Sequence, residues 1–343
     1  MLASLAIPIV GAPLAGGASN SALAAAVSDA GGLGFLASGY KTPAAMSEDV
    51  AAYRALTDAP FGVNVFLVTP TEADAAALDA FRASLGEGAG EPRADDDSRE
   101  EKVERLLADP VPVVSFTFGC PEPELVGRFH AAGSEVWVTV TTVEEARAAA
   151  AAGADALVVQ GHEAGGHRGS FTDDAPGDVG LLALLQLIGA ALPDLPLVAT
   201  GGIATGRAVA AVLAAGAAAA QIGTALMRTP EAATAPVHRD ALARDGRTAV
   251  TRAFTGRSAR GIVNAFMREH DDAPHAYPAV HHITAPLRAR AREQGDPESL
   301  HLWAGQAHEL SQDRPAGELV RALYDEARAA AAEAAKRLGG VTD

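Results

Sequence analysis

Residues 160 to 169 read QGHEAGGHRG, so two histidines and four glycines directly follow the apolar run at 156–159. Glycines let backbone N–H groups approach a ligand closely, and histidine is the side chain that exchanges a proton near neutral pH. An apolar run of this length is typical of a buried strand. The sequence therefore predicts a strand that ends in a loop built for binding and proton transfer.

His167 is the candidate general base in this loop. Glycines flank it at 165, 166 and 169, so it has no apolar helical face on which to pack. The alternative is that His167 only forms structural hydrogen bonds; we favour the catalytic role. His162, Glu163 and Arg168 fit a structural or a functional role equally well. Cys120 is followed by proline and has no adjacent basic residue, which argues against a nucleophilic thiol.

Short β-type runs alternate with Ala-rich helical stretches along the first two thirds of the chain. The predicted strands are Ile7–Gly11, Gly34–Ala37, Gly62–Phe66, Val111–Phe116, Glu135–Val140, Ala156–Gln160, Leu195–Thr200 and Ala219–Gly223. The predicted helices are Asn20–Ala30, Pro43–Leu56, Thr71–Leu85, Glu122–Ala132, Val143–Ala151, Val179–Ala191 and Thr205–Ala215. This alternation predicts an α/β protein of the TIM (β/α)8 barrel class.

The chain after the eighth strand loses this alternation and collects Arg, His and Pro. We predict a (β/α)8 barrel over 1–227, a small helical cap domain inserted after the eighth strand over 228–305, and a C-terminal helix within 306–343 that packs on the barrel. The acidic, Gly-rich stretch 86–101 shows no apolar periodicity, which predicts a mobile insertion.

Ligands of such barrels bind where the loops after the strands meet. The loops after the seventh and eighth strands read TGGIATG and QIGTA, and they contain Gly201, Gly202, Ile222, Gly223 and Thr224. Barrels commonly bind a phosphate there through backbone N–H groups. Glycines also make tight turns without binding anything, but two such loops at these strands favour a phosphorylated cofactor.

The composition argues against several other classes of function. The net charge of −16 disfavours binding to nucleic acid or to an anionic membrane surface. The N-terminus lacks the basic region of a secretory signal, and the uncharged stretch 208–227 is mostly Ala and Gly, so we expect no membrane span. The single cysteine favours the cytoplasm. The histidines lack companions at zinc-site spacing, so we expect no metal.

Several segments in order resemble one family. They are PIVGAPLAGGAS, FGVNVF, VSFTFGCP, QGHEAGGHRG, ATGGIATG, QIGTA and GRSARGIVNAF. Together they resemble the first class of the nitronate monooxygenase family, formerly called 2-nitropropane dioxygenases, along almost the whole chain except 86–101. Leu14 stands where family members often have methionine, which bears on substrate range.

The resemblance implies an FMN enzyme that oxidises alkyl nitronates, such as propionate 3-nitronate, with O2 to a carbonyl compound and nitrite. It implies that His167 lies over the flavin as catalytic base and that FMN contacts Asn64, Gln160, Gly165, Gly202, Gln221, Gly223 and Thr224. A homodimer is compatible with this assignment. Two alternatives stay open: an NAD(P)H-dependent FMN reductase of the quinone or enoyl-thioester reductase type, and a flavin-binding protein without turnover.

Overall fold

The computed structural model describes residues 1–71, 73–174 and 177–339. The strands in these ranges are β1 (Ile9–Gly11), β2 (Gly34–Ala37), β3 (Phe61–Phe66), β4 (Val113–Thr117), β5 (Glu135–Val140), β6 (Ala156–Gln160), β7 (Gly166–His167), β8 (Leu197–Thr200), β9 (Ala219–Ile222), β10 (Thr248–Thr251) and β11 (Ala259–Ile262). The α-helices are α1 (Ser21–Asp29), α2 (Pro43–Leu56), α3 (Ala75–Ser84), α4 (Arg99–Ala108), α5 (Pro123–Ala132), α6 (Val143–Ala152), α7 (Leu181–Ala191), α8 (Gly206–Ala214), α9 (Pro236–Leu242), α10 (Ala265–Glu269), α11 (Ala279–Gln294) and α12 (Ala316–Arg337).

Eight of the strands form one parallel sheet in the order β1-β9-β8-β6-β5-β4-β3-β2. The first and last strands of this order also meet, because the N–H of Gly11 donates to Leu33 O at 2.9 Å. The sheet is therefore closed, which confirms the predicted (β/α)8 barrel. The short β7 lies outside this sheet, so the seventh and eighth barrel strands are β8 and β9.

The side chains that point into the barrel change from apolar to polar toward the carboxyl ends of most strands. Every second residue of a strand faces the same side, and Trp137 on β5, Val158 on β6 and Val198 on β8 form part of a buried apolar cluster. Two residues further along β5, β6 and β8 the inward position is polar, and β3, β4 and β9 also carry a polar inward residue at this level. This polar layer consists of Asn64, Thr117, Thr139, Gln160, Thr200 and Gln221.

Hydrogen bonds within the polar layer satisfy part of its hydrogen-bonding capacity. Asn64 Nδ2 donates to Ser115 Oγ at 2.9 Å and to Thr117 Oγ1 at 3.0 Å. Thr200 Oγ1 donates to the carbonyl of Gln221 at 3.1 Å. Buried polar groups that are paired in this way cost little free energy. The layer therefore forms a stable polar floor at the carboxyl end of the barrel.

The chain between β9 and α12 contains the helices α9, α10 and α11, and it also contains two strands that the sequence analysis did not predict. Strands β10 and β11 pair antiparallel, and β11 also pairs with β7, with Ala259 opposite His167 and Arg260 opposite Gly166. The motif GRSARGIVNAF thus contributes a strand. Its four-residue length gives almost no periodic signal, and the strand depends on a partner that is remote in sequence.

The stretch 86–101 is anchored to the rest of the protein, which differs from the predicted mobile insertion. The N–H of Gly90 donates to Ile283 O on α11 at 2.7 Å. The carboxylate of Asp97 forms an ion pair with the buried Lys102 at 2.7 Å and accepts a hydrogen bond from Tyr40 N. These contacts are polar. The absence of apolar periodicity, on which the prediction of a mobile insertion relied, therefore did not reveal them.

Helix α12 lies against α8 on the outside of the barrel. Leu319, Val320 and Leu323 of its predicted apolar stripe are buried, and Tyr324 is partly buried. The N–H of Gly206 donates to Glu326 Oε2 at 2.9 Å, which joins the first residue of α8 to α12. None of the helices within the described ranges is long and apolar enough to cross a membrane.

Replacement of Gly206 by alanine should lower the free energy of unfolding by about 1–3 kcal/mol, because the added methyl group overpacks the α8–α12 contact. A Cβ at Gly206 would lie 2.4 Å from Leu323 O and 2.6 Å from Ala327 N, both backbone atoms. The matched control is Gly127→Ala in α5, where a Cβ meets no atom within 4 Å. The control should gain up to about 1 kcal/mol from helix propensity. Equal urea midpoints for the two variants would contradict the close α8–α12 packing.

Candidate active site

A cavity of about 530 Å³ opens at the carboxyl ends of the barrel strands. The polar layer of the barrel forms its floor, the loops after the strands form its sides, and residues of the cap complete it. The cap contributes Thr255, His281, Arg288, His301 and Trp303, among others. The cavity is large enough for a small-molecule ligand and lies where (β/α)8 barrels bind one.

The loop that carries His167 is fixed by its own neighbours. Gln160 Nε2 donates to His167 O at 3.1 Å, and Gln160 Oε1 accepts from the N–H of Gly169 at 2.8 Å. The guanidinium of Arg168 is buried and donates to the carbonyl of Gly161 at 2.6 Å. These bonds close the loop on the end of β6, and the pairing of β7 with β11 holds it from the other side.

The imidazole of His167 lines the cavity and makes one hydrogen bond to Thr255 of the cap. His167 Nε2 lies 2.9 Å from Thr255 Oγ1, and Thr255 Oγ1 also donates to Arg257 O at 3.2 Å. Because the hydroxyl proton is directed to that carbonyl, Nε2 carries the ring proton and donates to Thr255. The lone pair is then on Nδ1, for which no hydrogen-bond partner is found among the described residues.

Aromatic rings surround the imidazole of His167 and limit its contact with water. The ring centroids of Phe118 and Tyr277 both lie 5.8 Å from that of His167, and the centroid of Trp303 lies 5.6 Å away. Burial and the nearby cation Arg257 lower the pKa of His167 to about 3. The imidazole is therefore neutral at pH 7, as a general base must be before its substrate binds.

The loops after β8 and β9 form a narrow cradle beside this histidine. Gly201 and Gly202 have φ values of +124° and +67°, which L-residues with a side chain rarely adopt. A Cβ at Gly202 would lie 3.0 Å from Glu163 Cβ, so the loop after β8 packs closely against the loop after β6. Thr224 Oγ1 accepts from the N–H of Gly305 at 3.0 Å. Glycine thus lets the loop after β8 run close to the loop after β6 on one wall of the cavity.

The structure brings nearly all predicted site residues to one cavity. The residues that line it are Asn64, Gln160, Gly165, His167, Gly201, Gly202, Gln221, Gly223 and Thr224. Ile222 is the exception: its side chain is fully buried in the main core. Gln221 points into the barrel, so the next residue on β9 must point outward toward the helices. Leu14 also lines the cavity.

Glu163 and His162, which the sequence analysis could assign equally well to a structural or a functional role, make structural contacts. The carboxylate of Glu163 accepts from the N–H of Leu181 at 3.0 Å and caps α7. The carbonyl of His162 accepts from Arg260 Nε at 3.0 Å. Burial raises the pKa of the Cys120 thiol, which disfavours the thiolate. Within the described ranges, no group of three or more His, Cys, Asp or Glu side chains is arranged to hold a metal ion.

Sequence reasoning missed most of the cap residues that line the cavity. The sequence analysis assigned no binding role to the histidines of the cap, but His281 and His301 face the cavity, as do Thr255 and Arg288. One signal was available: His281 and Arg288 are seven residues apart and share one face of α11. Nothing in the sequence indicated that this face is turned toward the barrel.

The fold and the site define a (β/α)8-barrel protein with its ligand cavity at the carboxyl ends of the strands. The family model for nitronate monooxygenase matches residues 1–326, and the chain belongs to this family. A nitronate monooxygenase from Pseudomonas aeruginosa is 41% identical, with 94% of this chain and 96% of the relative covered. One from Paraburkholderia phytofirmans is 39% identical, with 93% and 92% covered.

Solved structures show the same similarity. A nitroalkane oxidase from Streptomyces ansochromogenes is 48% identical with a TM-score of 0.93, covering 97% of this chain and 99% of that chain. FabK from Thermotoga maritima is 28% identical with a TM-score of 0.77, covering 98% and 96%. The nitroalkane oxidase is thus the more similar of these two structures over essentially the same length.

Replacement of His167 by asparagine should change the pH dependence of stability. The pKa of His167 in the folded state is lowered from 6.5 to about 3. Below pH 6.5 the unfolded chain therefore binds a proton at His167 that the folded chain does not bind. The stability of the wild type should therefore fall relative to His167→Asn as the pH drops from 7 to 5. Urea unfolding of both apoproteins at several pH values measures this difference. A difference that does not change with pH would contradict the lowered pKa.

Proposed function

We propose that this protein is an FMN-dependent enzyme that oxidises alkyl nitronates with O2 to a carbonyl compound and nitrite. One observation carries the proposal: a neutral imidazole, His167, faces a cavity with a polar floor in a chain that belongs to the nitronate monooxygenase family. The names of the relatives in P. aeruginosa and P. phytofirmans support the same substrate class. The oxidation of nitronates therefore fits both the site and the family.

The residues present fit FMN as the cofactor. The loops after β8 and β9 would hold its phosphate through Gly202, Gly223 and Thr224, and the polar layer would hydrogen-bond the flavin ring through Asn64, Gln160 and Gln221. A Cβ at Gly166 meets no atom within 4 Å, so this glycine leaves open space beside His167. When bound, FMN supplies the electron transfer and the reaction with dioxygen.

His167 would remove the α-proton of a neutral nitroalkane and hold it on Nδ1. The product of that step is an anionic nitronate beside an imidazolium, and their attraction raises the pKa of His167 in the complex. The low pKa of the empty site keeps the lone pair available, and the negative charge that develops on the nitroalkane as the proton leaves stabilises the imidazolium. A preformed nitronate needs no proton removal and bypasses this step.

The surroundings of the site support an anionic substrate. Arg257 lies over the ring of Phe118 at 4.2 Å and lowers the pKa of His167 by its charge. The same charge attracts a nitronate toward the imidazole. The aromatic rings around His167 exclude water from the reacting atoms. We also propose a cytoplasmic location, supported by the single cysteine, and a homodimer is compatible with the fold.

Two other functions are less well supported. An NAD(P)H-dependent flavin reductase would share this barrel, but FabK is less similar to the chain than the nitroalkane oxidase is. A flavin-binding protein without turnover would not require a neutral imidazole facing open space. Steady consumption of NADH with an added electron acceptor, without oxidation of nitronates, would favour the reductase.

The variant His167→Asn should keep FMN but lose activity on neutral nitroalkanes more than on preformed nitronates. General-base catalysis typically contributes 10² to 10⁴-fold, so a loss of about that size is expected in kcat/KM for nitroethane. Oxygen consumption with nitroethane and with ethyl nitronate provides the comparison. Undiminished rates on both compounds would reject His167 as the base.

The variant Gly202→Ala should bind FMN at least about tenfold more weakly, because the methyl group pushes against Glu163 and shifts the cradle loop. Gly216→Ala is the matched control: Gly216 also has a positive φ, +98°, but a Cβ there meets no atom within 4 Å. Titration of both apoproteins with FMN, followed by flavin fluorescence, gives the two dissociation constants. Equal weakening in both variants would assign the effect to backbone strain and overturn the phosphate cradle.

A further inference from the structure

The segment 86–101 is attached both to the cap and to the barrel. On the cap side, the carboxylate of Asp95 contacts His282 Nε2 on α11. On the barrel side, Asp97 forms an ion pair with Lys102 in the first turns of α4. The segment therefore links a helix of the cap to a helix of the barrel.

Asp97 and Lys102 hold the loop that follows β2 at two points. Lys102 is fully buried, and its Nζ donates to Ser38 O at 2.9 Å and pairs with the Asp97 carboxylate at 2.7 Å. Asp97 Oδ1 accepts a hydrogen bond from the N–H of Tyr40 at 2.9 Å. Removal of one partner from a buried ion pair is strongly destabilising, because the other charge is left without compensation. The pair therefore fixes the backbone on both sides of residue 39.

Tyr40 has a backbone conformation that needs such support. Its φ of +66° lies in the left-handed region, which residues with a side chain rarely adopt. A conformation of this kind persists only where the surrounding structure enforces it. The ring of Tyr40 stacks on His281 with centroids 4.4 Å apart, and it meets Phe66 edge to face at 5.6 Å. The side chain is thus held between the barrel and the cap.

The hydroxyl of Tyr40 has a proton to donate. Its oxygen accepts a hydrogen bond from the hydroxyl of Tyr277 at 3.2 Å. Among the residues that the structure describes, no atom accepts a hydrogen bond from the Tyr40 hydroxyl in return. Burial raises the pKa of Tyr40 to about 12, so the phenol is protonated at pH 7. Because Tyr40 lines the cavity, its hydroxyl can donate to a bound ligand.

Tyr277 connects this hydroxyl to the candidate base. The hydroxyl of Tyr277 donates to Tyr40, and the ring centroid of Tyr277 lies 5.8 Å from that of His167. Besides burial, which is the larger effect, the positive charge of Arg257 acts on the pKa of both Tyr40 and His167. Both of these residues line the cavity, and Tyr277 contacts both. They therefore face the same part of the cavity.

We propose that the Asp97–Lys102 pair positions Tyr40 so that its hydroxyl donates to an oxygen of the substrate's nitro group. This inference rests on the proposed function and adds one substrate-binding donor and two positioning residues to it. The nitro oxygens are two bonds from the α-carbon, so a substrate with that carbon beside His167 can place an oxygen beside the hydroxyl. Negative charge moves onto these oxygens as the α-proton leaves, and hydrogen bonds to a charged acceptor are the stronger ones. Tyr40 would therefore stabilise the nitronate more than the nitroalkane.

The first test removes only the hydroxyl. Tyr40→Phe keeps the aromatic ring and should lower kcat/KM for ethyl nitronate at least about tenfold, the size expected for a hydrogen bond to a charged acceptor. The matched control is Tyr324→Phe, which removes a hydroxyl from α12 and does not touch the lining of the cavity. It should leave kcat/KM unchanged. An unchanged kcat/KM in Tyr40→Phe, with a wild type that oxidises ethyl nitronate, would overturn this inference and leave the proposed function intact.

The second test asks whether Asp97 acts through the hydroxyl. Asp97→Ala should lower kcat/KM about as much as Tyr40→Phe does, and the two changes together should cause little further loss. If Asp97→Ala does not fold, the double variant Asp97→Ala/Lys102→Met replaces it, because that variant leaves no buried charge unpaired. Glu104→Ala removes an exposed ion pair from the same helix and is the control that should leave kcat/KM unchanged. Losses that multiply would assign Asp97 to general stability and overturn its positioning role.

Binding measured without turnover separates this inference from the proposed function. In the His167→Asn background nitroethane is not deprotonated, so anaerobic calorimetry with the FMN-loaded protein gives its dissociation constant. Addition of Tyr40→Phe should weaken the binding of nitroethane about fivefold, even if the protein oxidises no nitronate. FMN content should be the same in both proteins. Unchanged affinity for nitroethane would overturn the inference, and so would loss of FMN, which would mean that the hydroxyl holds the cofactor instead.

Discussion

The site depends on a change from apolar to polar side chains inside a closed barrel. On each barrel strand the inward positions are two residues apart, so Trp137 is followed by Thr139 and Val158 by Gln160. The apolar half fills the barrel and stabilises its closure, while the polar half faces the cavity. A shift of one residue in the register of any strand would place an outward-facing apolar side chain in the polar floor of the cavity. The register of the parallel sheet thus determines the chemistry of the cavity.

The second constraint is the pairing of β7 with β11, which joins the barrel to the cap. This pairing places Thr255 and Arg257 next to His167, although they are far from it in sequence. The first fixes the tautomer of the imidazole, and the positive charge of the second adds to the burial that lowers the pKa of His167. The barrel therefore carries the candidate base, and residues of the cap influence its tautomer and its pKa. Isolation of the barrel alone would leave the imidazole without either influence.

Prediction from sequence succeeded where the signal was local. Strands β2, β5 and β6 were predicted to the residue, and the glycine loops pointed to the correct end of the barrel. It failed where the structure depends on contacts between distant segments. Strand β11 exists because β7 and β10 are its partners, and the stretch 86–101 is held by polar contacts such as the Asp97–Lys102 pair. The orientation of α11, which brings Arg288 to the cavity, also has no local signature.

We expect a nitronate to reduce a flavin bound in this barrel. A stopped-flow experiment mixes the purified FMN-loaded protein with ethyl nitronate in the absence of oxygen and follows the flavin absorbance at ~450 nm. We expect a single-exponential loss of absorbance whose rate saturates with nitronate concentration. A flavin that stays oxidised with the nitronate but is reduced by NADH would contradict it.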